Sequence, residues 1–208
     1  MSAPARPPGG RATSRGEDVA QRQEGAPVSA EIGSDSVHRV WKLGRDVDTD
    51  LLAPGYVMQH GIEVIAAHCL ESVRPEFAGS VRAGDVVVAG PGFGIGSSRE
   101  QAAAALVRLG VAAVIAPSYG GLFFRNAFNV GLMLLTCPQA ESLAEAERIR
   151  IRLGETPQVL AQDGRVLACE AIPDFLVDMA RSGGLLNQLR KRLSRERPAS
   201  SSHGHRAP

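Results

Sequence analysis

Residues 90–100 read Gly-Pro-Gly-Phe-Gly-Ile-Gly-Ser-Ser-Arg-Glu, with glycine at every second position from Gly90 to Gly96. An apolar run, Asp85-Val86-Val87-Val88-Ala89, precedes them, and a helical pattern over Ser97–Leu109 follows. Glycine lets the backbone approach a ligand closely and take positive φ. A helix N-terminus offers unpaired N–H groups and the positive end of its dipole, which together attract an anion. Ser97 and Ser98 add two hydroxyls, and the Arg99 guanidinium can hold a carboxylate through two parallel hydrogen bonds. The chemistry that fits is binding of a small anionic ligand. A plainer reading competes, because Ser97-x-x-Glu100 has the spacing of a capping box, in which the serine only satisfies a helix amide. That leaves Ser98, Arg99 and the glycines without a purpose. Nucleotide binding is a third candidate, but Gly92-x-Gly94-x-Gly96 falls short of the dinucleotide fingerprint, and no Gly-Lys-Ser/Thr is present.

A second polar cluster is Asp46-Val47-Asp48-Thr49-Asp50. It lacks the glycine and distal glutamate of a calcium loop, so a turn with local side-chain bonds is the alternative to a ligand-facing role. Cys69, Cys137 and Cys169 stand alone, without a CxxC pair or a histidine at ligand spacing. They suit idle thiols in a reducing compartment rather than a disulfide framework or a zinc site. No metal ligand set is expected in this chain. His203 and His205 read as tail.

The elements that must position these residues alternate between strand and helix. Val40–Leu43 opens as a strand, and Ile62–Leu70 has helical spacing. Asp85–Ala89, Val111–Ala116 and Leu132–Leu135 are apolar throughout, with helices expected over Ser97–Leu109 and Leu122–Asn129 between them. Such runs point to an α/β fold with a mostly parallel core sheet covered on its faces. Asp163-Gly164 between two short apolar runs signals a hairpin, and a last helix starts after Pro173.

Of the 208 residues, 44% are hydrophobic and 4% aromatic, so Val, Leu, Ile and Ala must build the core. The net charge of +1 gives no overall attraction to nucleic acid or to an anionic membrane. Residues 1–35 are rich in Ala, Pro, Gly, Ser and Arg and should form a disordered tail, as should the basic segment 194–208. One domain is expected over 36–193. No apolar run reaches the length of a membrane span, and the N-terminus lacks a secretory apolar region. Arg6, Arg11 and Arg15 without an acid resemble a transit peptide, but Pro7-Pro8-Gly9-Gly10 opposes its helix. A cytoplasmic location is the expectation.

Gly94-Ile95-Gly96-Ser97-Ser98-Arg99-Glu100 resembles the signature of the swivel domain of the aconitase family. Asp48-Thr49-Asp50-x-x-x-Pro54, Gly84-Asp85, Ala116-Pro117-Ser118-Tyr119, Phe124-Arg125-Asn126-Ala127, Gly131-Leu132, Pro173-Asp174-Phe175-Leu176 and Gly183-Gly184-Leu185 are similar, in order, to the small subunits of its isopropylmalate isomerase branch. The resemblance spans residues 38–190 and implies a three-layer β/β/α swivel domain. It further implies a small subunit of a heterodimeric hydro-lyase that interconverts 2-isopropylmalate and 3-isopropylmalate by dehydration and rehydration, a step of leucine biosynthesis. In that family a [4Fe-4S] cluster sits in the large subunit, so this chain would bind no cofactor itself and would share a small dicarboxylate substrate with that partner. By the same resemblance Ser97 acts as the base on a C–H bond, and Ser98, Arg99, Gly94 and Gly96 contact the substrate. Asp50 steadies a histidine of the large subunit. A loop of glycine amides at a helix N-terminus would stabilise the serine oxyanion.

Two departures from the family pattern bear on this. Many relatives have cysteine at the position of Ile95. The loop that sorts substrates falls at Tyr56, Val57 and Met58, with one residue deleted between Pro54 and Tyr56. Relatives acting on substrates with an extra carboxylate place an arginine where Met58 stands, so Val57 and Met58 favour an apolar substituent such as isopropyl. Two other readings stay open: a related dehydratase acting on another substituted malate, and a non-catalytic swivel domain that binds a ligand or RNA.

Overall fold

The computed structural model describes residues 32–33 and 36–196. The expectations of disorder before residue 32 and after residue 196, and the reading of His203 and His205, lie outside the described residues. Seven strands make one sheet in the order β4-β3-β2-β1-β5-β6-β7. Four of them, β1 (Val37–Lys42), β2 (Val86–Val88), β3 (Ala113–Ala116) and β4 (Met133–Thr136), run parallel. Strands β5 (Arg148–Arg152), β6 (Gln158–Ala161) and β7 (Val166–Ala168) continue the sheet antiparallel. The two halves meet in β1, whose Val37, His38 and Arg39 pair with β5 while Val40, Trp41 and Lys42 pair with β2. At the far edge the Glu170 amide donates to the Thr136 carbonyl at 2.8 Å, tying the chain after β7 to the end of β4.

The centre of the parallel half forms because β2 and β3 carry no polar face. Every residue of β2 and β3 is buried, as expected of strands covered on both sides. The cover comes from α4 (Glu100–Arg108) and α5 (Gly121–Val130), which pack against each other, with α5 also lying on β4. Ahead of them in the chain are α1 (Thr49–Leu52), α2 (Ile62–Ala67) and α3 (Phe77–Ser80). After β7 come α6 (Asp174–Arg181) and α7 (Leu185–Glu196), so helix extends past the domain edge expected at 193. The antiparallel half differs in kind. In β5 isoleucine and arginine alternate, and only Ile149 and Ile151 are buried.

Asp85 fixes the entry into β2. Its buried carboxylate accepts from Trp41 Nε1 at 2.9 Å, Arg39 Nε at 3.1 Å and the Arg82 amide at 2.9 Å. A buried carboxylate is tolerable only when paired and hydrogen-bonded in this way. The consequence is a rigid strand leading into the glycine loop.

Candidate functional site

The loop from Gly90 to Arg99 leaves the C-terminal end of β2 and is held between two neighbours. On one side the Gly94 amide donates to the Val47 carbonyl at 2.6 Å and the Thr49 amide to the Ile95 carbonyl at 2.9 Å. On the other the Phe93 amide donates to the Ser118 carbonyl at 3.1 Å and the Gly120 amide to the Phe93 carbonyl at 2.8 Å. Phe93 is fully buried, edge-on to Phe123 with ring centroids 5.3 Å apart. Gly92, Gly94 and Gly96 all have positive φ, at 79°, 75° and 105°. The alternation of glycines therefore follows from the path of the backbone, which sends Phe93 inward and leaves Ile95, Gly96, Ser97 and Ser98 exposed.

Ser97 is not a helix cap. The N-cap of α4 is Arg99, no side chain bonds there, and the helix begins at Glu100, three residues later than its spacing suggested. The Ser97 hydroxyl instead faces Thr49, 3.2 Å from its Oγ1, and the Ser97 amide donates to the same Oγ1 at 3.0 Å. The Ser98 carbonyl accepts from Asn126 Nδ2 at 3.0 Å. Arg99 donates to Asp50 and to the Ala53 carbonyl, the latter at 3.1 Å. Ser97, Ser98, Arg99 and Asp50 thus lie together at one end of the parallel half-sheet, where the loops after strands commonly build sites.

The acidic cluster divides into three tasks. Asp46 has φ of 54° and pairs with Arg45 at 3.3 Å. Asp48 caps α1, its carboxylate accepting from the Leu51 amide at 2.8 Å. Asp50 pairs with Arg99 across to the glycine loop.

Gly94 is buried and its amide donates to the Val47 carbonyl, so its part in the loop is to shape it. Gly96 remains on the surface. Val57 is 3% exposed and packs into the core. Met58 is half-buried against that core, while Tyr56 is exposed and its hydroxyl lies 3.0 Å from His68 Nδ1 and also bonds Glu71. The segment abuts the site, because a Cβ at Gly55 would lie 3.9 Å from both Asp50 Oδ1 and Arg99 Nη2.

Thr49, Asn126 and Gly120 were missed as parts of the site. A Cβ on Gly120 would come within 2.8 Å of the Gly94 carbonyl carbon. Thr49 and Asn126 belonged to the motifs Asp48–Asp50 and Phe124–Ala127, and Gly120 directly follows the one that ends at Tyr119. All three cysteines are buried. A hydrogen bond between Cys137 and Cys169 holds the first thiol below its ordinary range and pushes the second above it, and burial pushes Cys69 up. Among the described residues no group of three or more His, Cys, Asp or Glu is placed to hold a metal ion, and no helix is long and apolar enough to cross a membrane.

Residues 79–140, which contain the glycine loop and the helices that carry it, match the aconitase C-terminal domain family. A crystal structure of 3-isopropylmalate dehydratase from Methanocaldococcus jannaschii superimposes with a TM-score of 0.70 at 35% identity, covering 77% of this chain and 96% of that one. The fold is that of the aconitase-type swivel domain. Among curated relatives, the 3-isopropylmalate dehydratase small subunit 1 of Archaeoglobus fulgidus is 41% identical over 149 residues, 71% of this chain and 92% of its own length. The methanogen homoaconitase small subunit of Methanothermobacter thermautotrophicus is 40% identical over 154 residues, 74% of this chain and 89% of its own. The chain belongs to the family of aconitase-type dehydratase small subunits that includes those of 3-isopropylmalate dehydratase.

Proposed function

We propose that this chain is the small subunit of a 3-isopropylmalate dehydratase, a cytoplasmic hydro-lyase that interconverts 2-isopropylmalate and 3-isopropylmalate in leucine biosynthesis. The observation that carries this reading is the exposed Ser97-Ser98 pair beside the half-buried Arg99, held from behind by the Asp48–Asp50 turn in a fold shared with the dehydratase relatives. In the reaction a C–H proton and a hydroxyl leave neighbouring carbons, and water returns in the opposite sense. Ser97 is the group placed to take the carbon-bound proton and give it back. Ser98 and Arg99 hold a substrate carboxylate, with the guanidinium plane set by Asp50 and the Ala53 carbonyl. Asp50, paired with Arg99 and largely exposed, would steady a histidine of the large subunit.

That large subunit would carry a [4Fe-4S] cluster, which supplies Lewis acidity to the departing hydroxyl. Val57 and Met58, in the segment whose Gly55 lies beside the Arg99–Asp50 pair, favour an apolar substituent on the substrate. The similarity to a homoaconitase small subunit keeps a second reading, a dehydratase of another substituted malate.

The test is anaerobic co-purification of the tagged chain from its native host, followed by iron analysis and hydration assays with both substrate types. Recovery of a larger iron-sulfur subunit, with activity on isopropylmalate, is the expected result. Activity confined to a tricarboxylate would select the second reading. A chain that returns alone, iron-free and inactive, would overturn both in favour of a ligand- or RNA-binding domain.

A further inference from the structure

Thr49 stands behind the proposed base, on the first residue of α1, and is 1% exposed. Its backbone is fixed on both sides, the amide donating to the Ile95 carbonyl at 2.9 Å and the carbonyl accepting from the Ala53 amide at 3.0 Å. Its β-branched side chain has few rotamers to choose from. Among the described residues its hydroxyl meets two groups, both on Ser97: the amide at 3.0 Å and Oγ at 3.2 Å. The amide can only donate, so it takes one of the Thr49 lone pairs. The Thr49 proton then has Ser97 Oγ as its acceptor. The opposite arrangement would leave that proton buried without a partner, which folded proteins avoid.

We propose that Thr49 is a positioning residue that donates a hydrogen bond to Ser97 Oγ and stabilises its deprotonated form; this rests on the reading of Ser97 as the base. An alkoxide can only accept, so the direction argued for the resting chain is also the one that the reactive state requires. Thr49 keeps its own proton throughout: Ser97 loses its proton to water, accepts one from the substrate carbon and returns it. Two of the loop amides are already engaged. That of Gly94 is bonded to Val47 and that of Ser97 to Thr49 itself. Gly96 keeps the approach open, since a Cβ there would lie 3.0 Å from Thr49 Oγ1.

The test uses the assembled two-subunit enzyme carrying Thr49→Val, Thr49→Ser, Thr49→Cys or Ser97→Ala. Thr49→Val keeps the shape and removes the donor. It should lower kcat by about 10- to 100-fold with KM little changed. The acidic limb of the kcat–pH profile should move to higher pH, because the alkoxide becomes harder to form. Thr49→Ser should restore both. A fall in kcat with an unmoved pH limb would make Thr49 a structural residue and overturn the proposal. Wild-type kcat in Thr49→Val beside an inactive Ser97→Ala would overturn it while leaving Ser97 as the base. Normal turnover in Ser97→Ala would remove the base and this proposal with it. If Thr49→Val does not assemble, Thr49→Cys decides: a weak donor of similar size should shift the limb part of the way, and a wild-type profile would refute the assignment.

Discussion

Replacing Gly94 with alanine tests whether the glycine loop is locked by packing or merely flexible. The residue has φ of 75°, and an added Cβ would stand 2.5 Å from Phe123 Cβ, with ring atoms at comparable range. Phe123 is 1% exposed and is itself held edge-on by Phe93, so it has no room to turn away. The left-handed backbone costs an alanine about 1–2 kcal/mol. Overpacking a closed aromatic contact adds about 1–3 kcal/mol, so the total should be about 2–5 kcal/mol. Two controls separate these contributions. At Gly92, φ is 79° and the added Cβ meets the exposed Asp46 carboxylate at 2.5 Å, which can swing into solvent. Gly92→Ala should therefore show only the backbone cost of about 1–2 kcal/mol. At Gly121 nothing lies within 4 Å of the added atom, and the residue opens α5. Gly121→Ala should be neutral or stabilising by up to about 1 kcal/mol. Urea unfolding of the isolated chain followed by circular dichroism gives the order. Equal costs at Gly94 and Gly92 would mean that Phe123 yields freely, and the argument for a packed, pre-set loop would fail.

Other expectations follow from the same geometry. Ser97→Ala should leave folding and subunit assembly intact while lowering turnover of the assembled enzyme about 100-fold or more; near-normal turnover would reduce Ser97 to a loop residue. Tyr119→Phe removes a hydroxyl that accepts from the Ala116 amide at 3.0 Å and lies 2.9 Å and 2.8 Å from the Val114 and Leu135 carbonyls. The cost should be about 1–3 kcal/mol in denaturant unfolding. Burial pushes the Tyr119 phenol above its ordinary value of 10.0, so the unfolded chain loses that proton first. This contribution to stability is complete below pH 10 and falls above it, and thermal melts of Tyr119→Phe should lack that share of the alkaline decline. Met58→Arg should weaken use of isopropylmalate and admit a substrate with an added carboxylate, read from kcat/KM for both; an unchanged preference would place the sorting loop elsewhere.

Most of the parallel half of the fold was legible because burial on both faces leaves an unmistakable trace: Val86–Val88, Ala113–Ala116 and Met133–Leu135 have no polar side to confuse the reading. The hairpin at Asp163-Gly164 was legible from its turn residues, and it links β6 to β7 as expected. Strand β5 was overlooked, although Arg-Ile-Arg-Ile-Arg alternates with period two and buries only its isoleucines. The start of α4 was misplaced because Ser97-x-x-Glu100 has capping-box spacing, whereas a tertiary partner, Thr49, claims the serine instead. Spacing along the chain could not reveal that partner, which lies 48 residues away. The burial of Val57 was equally illegible: the family resemblance gave it a place in a sorting loop, and the short 3₁₀ turn over Gly55–Val57 that turns it inward leaves no trace in the spacing.

Strand β1 has a consequence for the order in which the molecule can be completed during synthesis. Its C-terminal half finds β2 once about a third of the described chain has emerged, but its N-terminal half waits for β5, at Arg148–Arg152. Until then Val37, His38 and Arg39 present an open strand edge beside a nascent parallel sheet. Open edges invite pairing with other chains. A ribosome-bound fragment ending between β4 and β5 should therefore be the most aggregation-prone intermediate in the life of this protein. The two arginine-flanked isoleucines of β5 then do more than fill a core: their arrival closes the seam.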